Sequence, residues 1–224
     1  MTAPLIASQV NLYRQQFLEH GDSPEGTFNQ SESIQHLRFF HLLSSLSLEN
    51  SSLHDVGCGI CDLYHYISLH HSTLHYSGTE IVPEMVDVAR NKYPELTLSI
   101  RDILTDHIPE SYDYVVQSGV FNLPGDQDHS SWRLFTRSFI SKMFDLSTKA
   151  ISFNFLNAQS AQYMHPDMYY EHPSEILEYC LSNLSRFSVI NQSYPLYEFT
   201  VTVFKDSFVK SQISDSSLSR FFSE

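Results

Sequence analysis

Hydrophobic positions change their spacing repeatedly along this chain, from helical periods to short apolar runs and back. Val10, Tyr13, Phe17 and Leu18 recur at helical spacing, and Gly21 is placed to end that helix. The connection from His20 to Gly26 mixes backbone breakers with polar groups and reads as a loop. Ile34, Leu37, His41 and Leu42 then share the face of a second helix, with Ser31 or Ser33 available as its N-cap. From residue 51 the chain alternates: apolar runs predict strands at about 51–56, 74–80, 96–101, 112–118 and 150–156. Helical patterns separate them at about 61–70, from Pro83 to Tyr93, and at about 130–145, where Phe135, Phe139, Ile140, Met143 and Phe144 form a stripe. A helix opened by Pro173 uses Ile176, Leu177, Cys180 and Leu184, and two last strands at about 186–192 and 196–205 flank Ser193-Tyr194-Pro195. Alternating strand and helix predicts an α/β sheet of seven strands, with no internal repeat and no linker long enough for a second domain.

One stretch organises that pattern. Leu53-His54-Asp55-Val56-Gly57-Cys58-Gly59 is an apolar run with an acidic residue, closed by two glycines just before a helix. Glycines there let the backbone turn sharply and leave room for a ligand against the main chain. The amides at the following helix start face the same crevice.

At these residues the sequence resembles the class I S-adenosylmethionine-dependent methyltransferases. Asp55-x-Gly57-x-Gly59 is similar to their first motif, which wraps the methionine part of the cofactor. Tyr76-Ser77-Gly78-Thr79-Glu80-Ile81 resembles the second, with Glu80 where an acidic residue grips the ribose hydroxyls and Ile81 beside it. Ser99-Ile100-Arg101-Asp102-Ile103-Leu104 resembles the adenine-reading segment, with Asp102 as acceptor of the amino group and Ile103 adjacent. Tyr112 to Gly119 resembles the fourth strand, whose end at Ser118 lies under the sulfonium. The four matches occur in order between about 51 and 156. One departure is Cys61, where many members of the family carry a third glycine. The resemblance implies a Rossmann-like, seven-stranded, mostly parallel sheet with helices on both faces and an antiparallel last strand. It also implies a cofactor-binding core over 46–206 and a helical lid over 1–45, which reads equally as a cap on one sheet edge, while composition gives a serine-rich tail over 207–224, expected to be mobile or weakly docked. S-adenosyl-L-methionine is the expected cofactor, and no metal is expected.

Composition narrows the acceptor. Thirteen basic against 26 acidic residues give a formal charge of -13, which repels phosphate backbones, so a small molecule is expected rather than nucleic acid. No run approaches the roughly 18 apolar residues of a membrane span. Met1 to Ala7 carry no basic leader, and three cysteines make no disulfide framework, so a cytoplasmic protein is expected. Cys58-Gly59-Ile60-Cys61 has redox or metal spacing, but it sits inside the turn and lacks a second pair. His70, His71 and His75 read as a solvated corner rather than a ligand set.

Methyl transfer is a direct displacement that needs alignment above all. A protonated acceptor also needs a base. The candidates are His129, Asp126 and Asp128 after strand four, His165, Tyr169 and His172 in the aromatic loop, and His20 from the lid. Tyr13, Asn122, Asn154 and Tyr170 are candidate substrate contacts, although the run from Tyr163 to Pro173 reads equally as packing over a sheet edge. Two other outcomes stay open: cyclisation of the cofactor's aminocarboxypropyl chain to azetidine-2-carboxylate, releasing methylthioadenosine, or a non-catalytic scaffold with the same fold.

Overall fold

The computed structural model describes residues 3–69 and 73–222, so His70 and His71 of the expected solvated corner lie outside the described residues. Two helices, α1 (Ala3–His20) and α2 (Glu32–Leu43), precede the first strand. Gly21, at a positive φ of 65°, ends α1 with its amide on the Phe17 carbonyl, and Ser31 caps α2 by accepting from the Ile34 amide. The alternation then runs β1 (Ser52–Val56), α3 (Asp62–Ser68), β2 (His75–Glu80), α4 (Pro83–Lys92), β3 (Thr97–Ile100) and β4 (Tyr112–Gln117). It continues with α5 (His129–Leu146), β5 (Ser147–Asn157), β6 (Tyr170–Glu171), α6 (Pro173–Asn183), β7 (Ser188–Asn191) and β8 (Glu198–Phe204). Beyond it, α7 (Asp206–Ser211) and a 3-10 segment from Ser216 to Phe222 carry the tail, where Phe222 stacks on Phe187 and Arg186 donates to the Phe221 carbonyl.

The sheet runs β3-β2-β1-β4-β5-β8-β7, parallel through β5, with β8 antiparallel to both its neighbours. The two-residue β6 adds an eighth strand beside the end of β5, too short to leave a periodic signal in the sequence. The order reverses between β1 and β4, so the crevice above their carboxyl ends is the switch point where ligands bind in open α/β sheets.

Side chains alternate across the sheet and build a core on each face. Val56, Val115, Ile151, Phe153, Phe155, Val201 and Val203 pack against α5 and α6. Leu53, Tyr76, Leu98, Tyr114, Val116 and Ala150 pack against α2, α3 and α4. Helix α2 is therefore part of a core layer: it buries Phe39, Leu42 and Leu43, one step around from the face that spacing suggested. Likewise Leu18 of α1 points to solvent at 64% exposure while Phe17 is buried. Among the described residues no helix is long and apolar enough to cross a membrane.

His54 lies within β1, buried and stacked on Tyr112 at 4.1 Å, with Nδ1 2.8 Å from Ser77 Oγ and Nε2 3.3 Å from Thr79 Oγ1. Burial, helped by the Arg101 charge, pushes its pKa down to about 4. The unfolded chain takes up this proton near pH 6.5 and the folded chain only near 4, so stability falls as pH drops through that window. The loss expected from His54 is about 3 kcal/mol, and urea titrations should show the pH 4–6.5 slope flattened in His54→Gln relative to the parent.

Candidate functional site

The turn after β1 is shaped by close approach on one side and open space on the other. Gly57 has φ 75°, which L side chains rarely adopt, and a Cβ there would meet Val120 Cγ2 at 2.5 Å and force Val120 to shift. The amides of Gly57 and Cys58 both donate to the Thr79 carbonyl, at 2.8 and 3.1 Å. Gly59 also turns left-handed, at φ 54°, but a Cβ there would meet nothing within 4 Å, because the turn borders a cavity. Cys61, at φ 67°, precedes α3 in the left-handed region that favours glycine, the position of the family's third glycine. Its buried thiol packs with Cys58, and the space for Cys58 comes from β2: a Cβ on Gly78 would lie 2.7 Å from Cys58 Sγ. Among the described residues no three His, Cys, Asp or Glu side chains are grouped as a metal site requires.

Acidic groups ring the same cavity. Glu80, at the end of β2, accepts from Gly59 N with Oε2 at 3.0 Å and from Ile81 N and Val82 N with Oε1 at 2.7 and 3.0 Å. Burial raises its pKa and the three amides oppose that rise. Asp55 is buried, accepts from the Tyr76 hydroxyl at 2.7 Å, and is pushed up to about 7 by burial, with the Glu80 and Asp62 charges adding to the rise. Asp102 caps a turn, its Oδ1 accepting from Leu104 N and its Oδ2 from Thr105 Oγ1, both at 2.9 Å. Tyr13 of α1 is held protonated by burial and by the nearby Glu80 charge.

The lining of this cavity contains Asp55, Gly57, Gly59, Glu80, Ile81, Asp102, Ile103 and Ser118, the whole expected cofactor set, together with Tyr13 and Asn122. The other expected residues lie outside it. His129 is exposed and tilted against Tyr169 at 4.9 Å, and the Tyr169 hydroxyl is buried against Glu171 Oε2 at 3.0 Å. His20 faces solvent beside Glu19, and the Tyr170 hydroxyl accepts from His165 N. Asp126, Asp128, His165 and His172 are exposed. Asn154 is fully buried beneath the floor, its Oδ1 accepting from Gly119 N at 2.9 Å.

That last contact ends a chain the sequence did not disclose. Asn154 Nδ2 donates to Glu198 Oε2 at 2.9 Å, and Glu198 takes a bidentate pair from Arg38, at 2.8 Å from Nε and 2.6 Å from Nη2. Arg38 Nη1 goes on to Asn29 Oδ1 at 2.8 Å, and both Arg38 and Asn29 line the cavity. Gln35 likewise donates to Asp62 at 2.9 Å. The ion pair joins positions 160 residues apart, so no local spacing announces it. Ile6, Gln9 and Phe28 also line the cavity and were not singled out from spacing, though Ile6, Gln9 and Tyr13 share one face of α1, and Met168 joins them from the Tyr163 to Pro173 run.

A protein of Mycobacterium tuberculosis (strain ATCC 25618 / H37Rv), named "Putative methyltransferase Rv1506c", is 31% identical over 157 residues, 70% of this chain and 94% of its own length. No family model matches the chain. Magnesium protoporphyrin IX methyltransferase (ChlM) from Synechocystis PCC 6803, solved with bound SAH, gives a TM-score of 0.57 at 15% identity, over 78% of this chain and 82% of that one. The pyocyanin biosynthetic protein PhzM gives 0.62 at 13% identity, over 86% of this chain and 61% of that one. The chain belongs to the class I S-adenosylmethionine-dependent methyltransferase family.

Removing Glu198 would leave a buried guanidinium unpaired and Asn154 without its acceptor. Glu198→Ala is expected to cost about 3–5 kcal/mol, read as a lowered midpoint in chemical denaturation.

Proposed function

We propose that this chain binds S-adenosylmethionine at the turn after β1 and transfers its methyl group to a small molecule. The observation that carries the reading is that all eight expected cofactor residues, drawn from the ends of β1, β2, β3 and β4, line one cavity. The fit is chemical as well as positional. Glu80 is a buried acceptor at the end of β2, suited to a pair of ribose hydroxyls, and Asp102 with Ile103 suits the base edge. The open space above Gly59 admits a ligand against the main chain.

When bound, the cofactor supplies an electrophilic methyl on a sulfonium. The protein's part is alignment and exclusion of water. Among the described residues the cavity lining contains no histidine, and its carboxylates are held by Tyr76, Gln35 and backbone amides. The expected bases His129, Tyr169 and His20 lie outside this lining and are assigned no proton transfer. Phe28 and Met168, about 40% exposed at the rim, offer the acceptor an apolar seat, with Asn122 in the same lining. The formal charge of -13 disfavours polyanions.

The test is calorimetric titration with S-adenosylmethionine followed by mass spectrometry of the nucleosides. Binding that is lost in Glu80→Ala, with adenosylhomocysteine appearing once an acceptor is supplied, supports methyl transfer. Methylthioadenosine formed faster than in a protein-free control replaces it with cyclisation, and no binding by the parent leaves a scaffold.

Asp55 gives the binding step a pH signature. A cation bound beside it favours the ionised carboxylate, so affinity rises with pH through about 7 and a proton is released. Calorimetry in buffers of different ionisation enthalpy should detect that proton in the parent and not in Asp55→Asn.

A further inference from the structure

Among the described residues, three that are not glycine hold a positive φ: Phe28, Asn50 and Cys61. Asparagine tolerates that region, and the buried Cys61 thiol packs with Cys58. Neither explanation serves Phe28, at φ 56° and ψ 30°. A bulky side chain raises the energy of left-handed backbone, and glycine would make the same turn without that cost. The loop enforces the conformation. Phe28 N donates to the Glu25 carbonyl at 3.0 Å, Asn29 N donates to the Pro24 carbonyl at 2.7 Å, and Arg38 Nη1 holds Asn29 Oδ1. The Phe28 ring meets Tyr13 edge-on at 5.2 Å, yet it stays 39% exposed while lining the cavity. Backbone strain of this kind collects where a side chain serves a ligand.

The hydrogen bonds beside Phe28 lead to the end of β4. From Asn29 they run through Arg38, Glu198 and Asn154 to the amide of Gly119, where the cofactor reading puts the reactive methyl. Met168 is held at the same end, because the next residue, Tyr169, donates its amide to the Asn122 carbonyl at 2.9 Å. An aromatic ring and a thioether are both suited to a planar π system. Charge narrows the ligand further. Among the described residues the lining has four acidic side chains, Asp55, Asp62, Glu80 and Asp102, against one basic one, Arg38, already paired with Glu198. An anionic acceptor would find no free counter-charge, and the cofactor's sulfonium would repel a cationic one.

We infer that Phe28 is an acceptor-specificity residue, and that the acceptor is an uncharged planar aromatic molecule stacked on its ring with Met168 alongside. The inference rests on the methyl-transfer reading above and names the class of small molecule that the reading leaves open. The left-handed backbone at Phe28 is the cost of turning an aromatic ring to the rim, where the acceptor enters.

The test uses the full chain saturated with S-adenosylhomocysteine and probes of one skeleton: 2-naphthol, its saturated counterpart decahydro-2-naphthol, and the 2-naphthoate anion. Near neutral pH, 2-naphthol should bind about fivefold to tenfold more tightly than either of the others. Phe28→Leu keeps apolar bulk but loses the ring, and it should erase the preference over the saturated compound. Phe28→Tyr should keep it, and both variants should bind S-adenosylhomocysteine as the parent does. Absent binding of 2-naphthol, or equal binding of the saturated compound, would overturn the aromatic class. Tighter binding of 2-naphthoate would overturn the uncharged one. A preference that survives in Phe28→Leu would remove Phe28 from the contact, and a loss of S-adenosylhomocysteine affinity there would assign Phe28 to the cofactor site or the fold instead. If the parent does not bind S-adenosylhomocysteine, the cofactor reading fails first, and this inference falls with it.

Discussion

The crevice depends on one carboxylate. Glu80 ends β2 and ties the glycine turn after β1 to the start of the β2–α4 connection through three backbone amides. Those amides would otherwise face a dry cavity wall with no acceptor, and the carboxylate would otherwise be a buried charge without partners. Each side of the bargain makes the other tolerable. The geometry of Gly59, and with it the open approach to the main chain, follows from that exchange. Glu80 therefore shapes the turn from a position that also lines the cavity.

The second constraint lies at the opposite wall. Arg38, Glu198, Asn154 and Gly119 form a line of hydrogen bonds from α2 through β8 and β5 to the turn after β4. Asn29 extends it into the α1–α2 connection. A rigid scaffold of parallel strands is thereby coupled to the N-terminal segment by buried polar contacts, which fix register and orientation more tightly than apolar packing does. Together the two networks hold the cavity open between them.

How much of this was legible in the sequence follows from range. The glycine turn is marked by its own spacing, and Glu80 and Asp102 sit within short stretches that resemble the family's motifs, so this wall could be read locally. The alternation of strand and helix likewise announced the layers. The opposite wall is built from partners as far apart as Arg38 and Glu198, chosen by tertiary packing, and nothing near either residue marks it. Asn154, expected to contact substrate, lies instead with Ser152 on a face of β5 that α2 covers, where Ser152 Oγ donates to the Leu42 carbonyl. The base candidates His20, His129, His165 and His172 lie at exposed positions, which sequence position alone does not reveal.

The cysteines in and near the turn bear on how the protein behaves under oxidising conditions. Cys58, Cys61 and Cys180 are all free and buried. The neighbouring Cys61 thiol and burial push the Cys58 pKa up, and burial pushes Cys180 up to about 12, so neither supplies a thiolate near neutrality. Alkylating agents and peroxides attack the thiolate, and here they meet protonated sulfur behind packed side chains. At Cys58 the Cys-x-x-Cys spacing, reactive in an exposed loop, therefore presents buried, protonated sulfur.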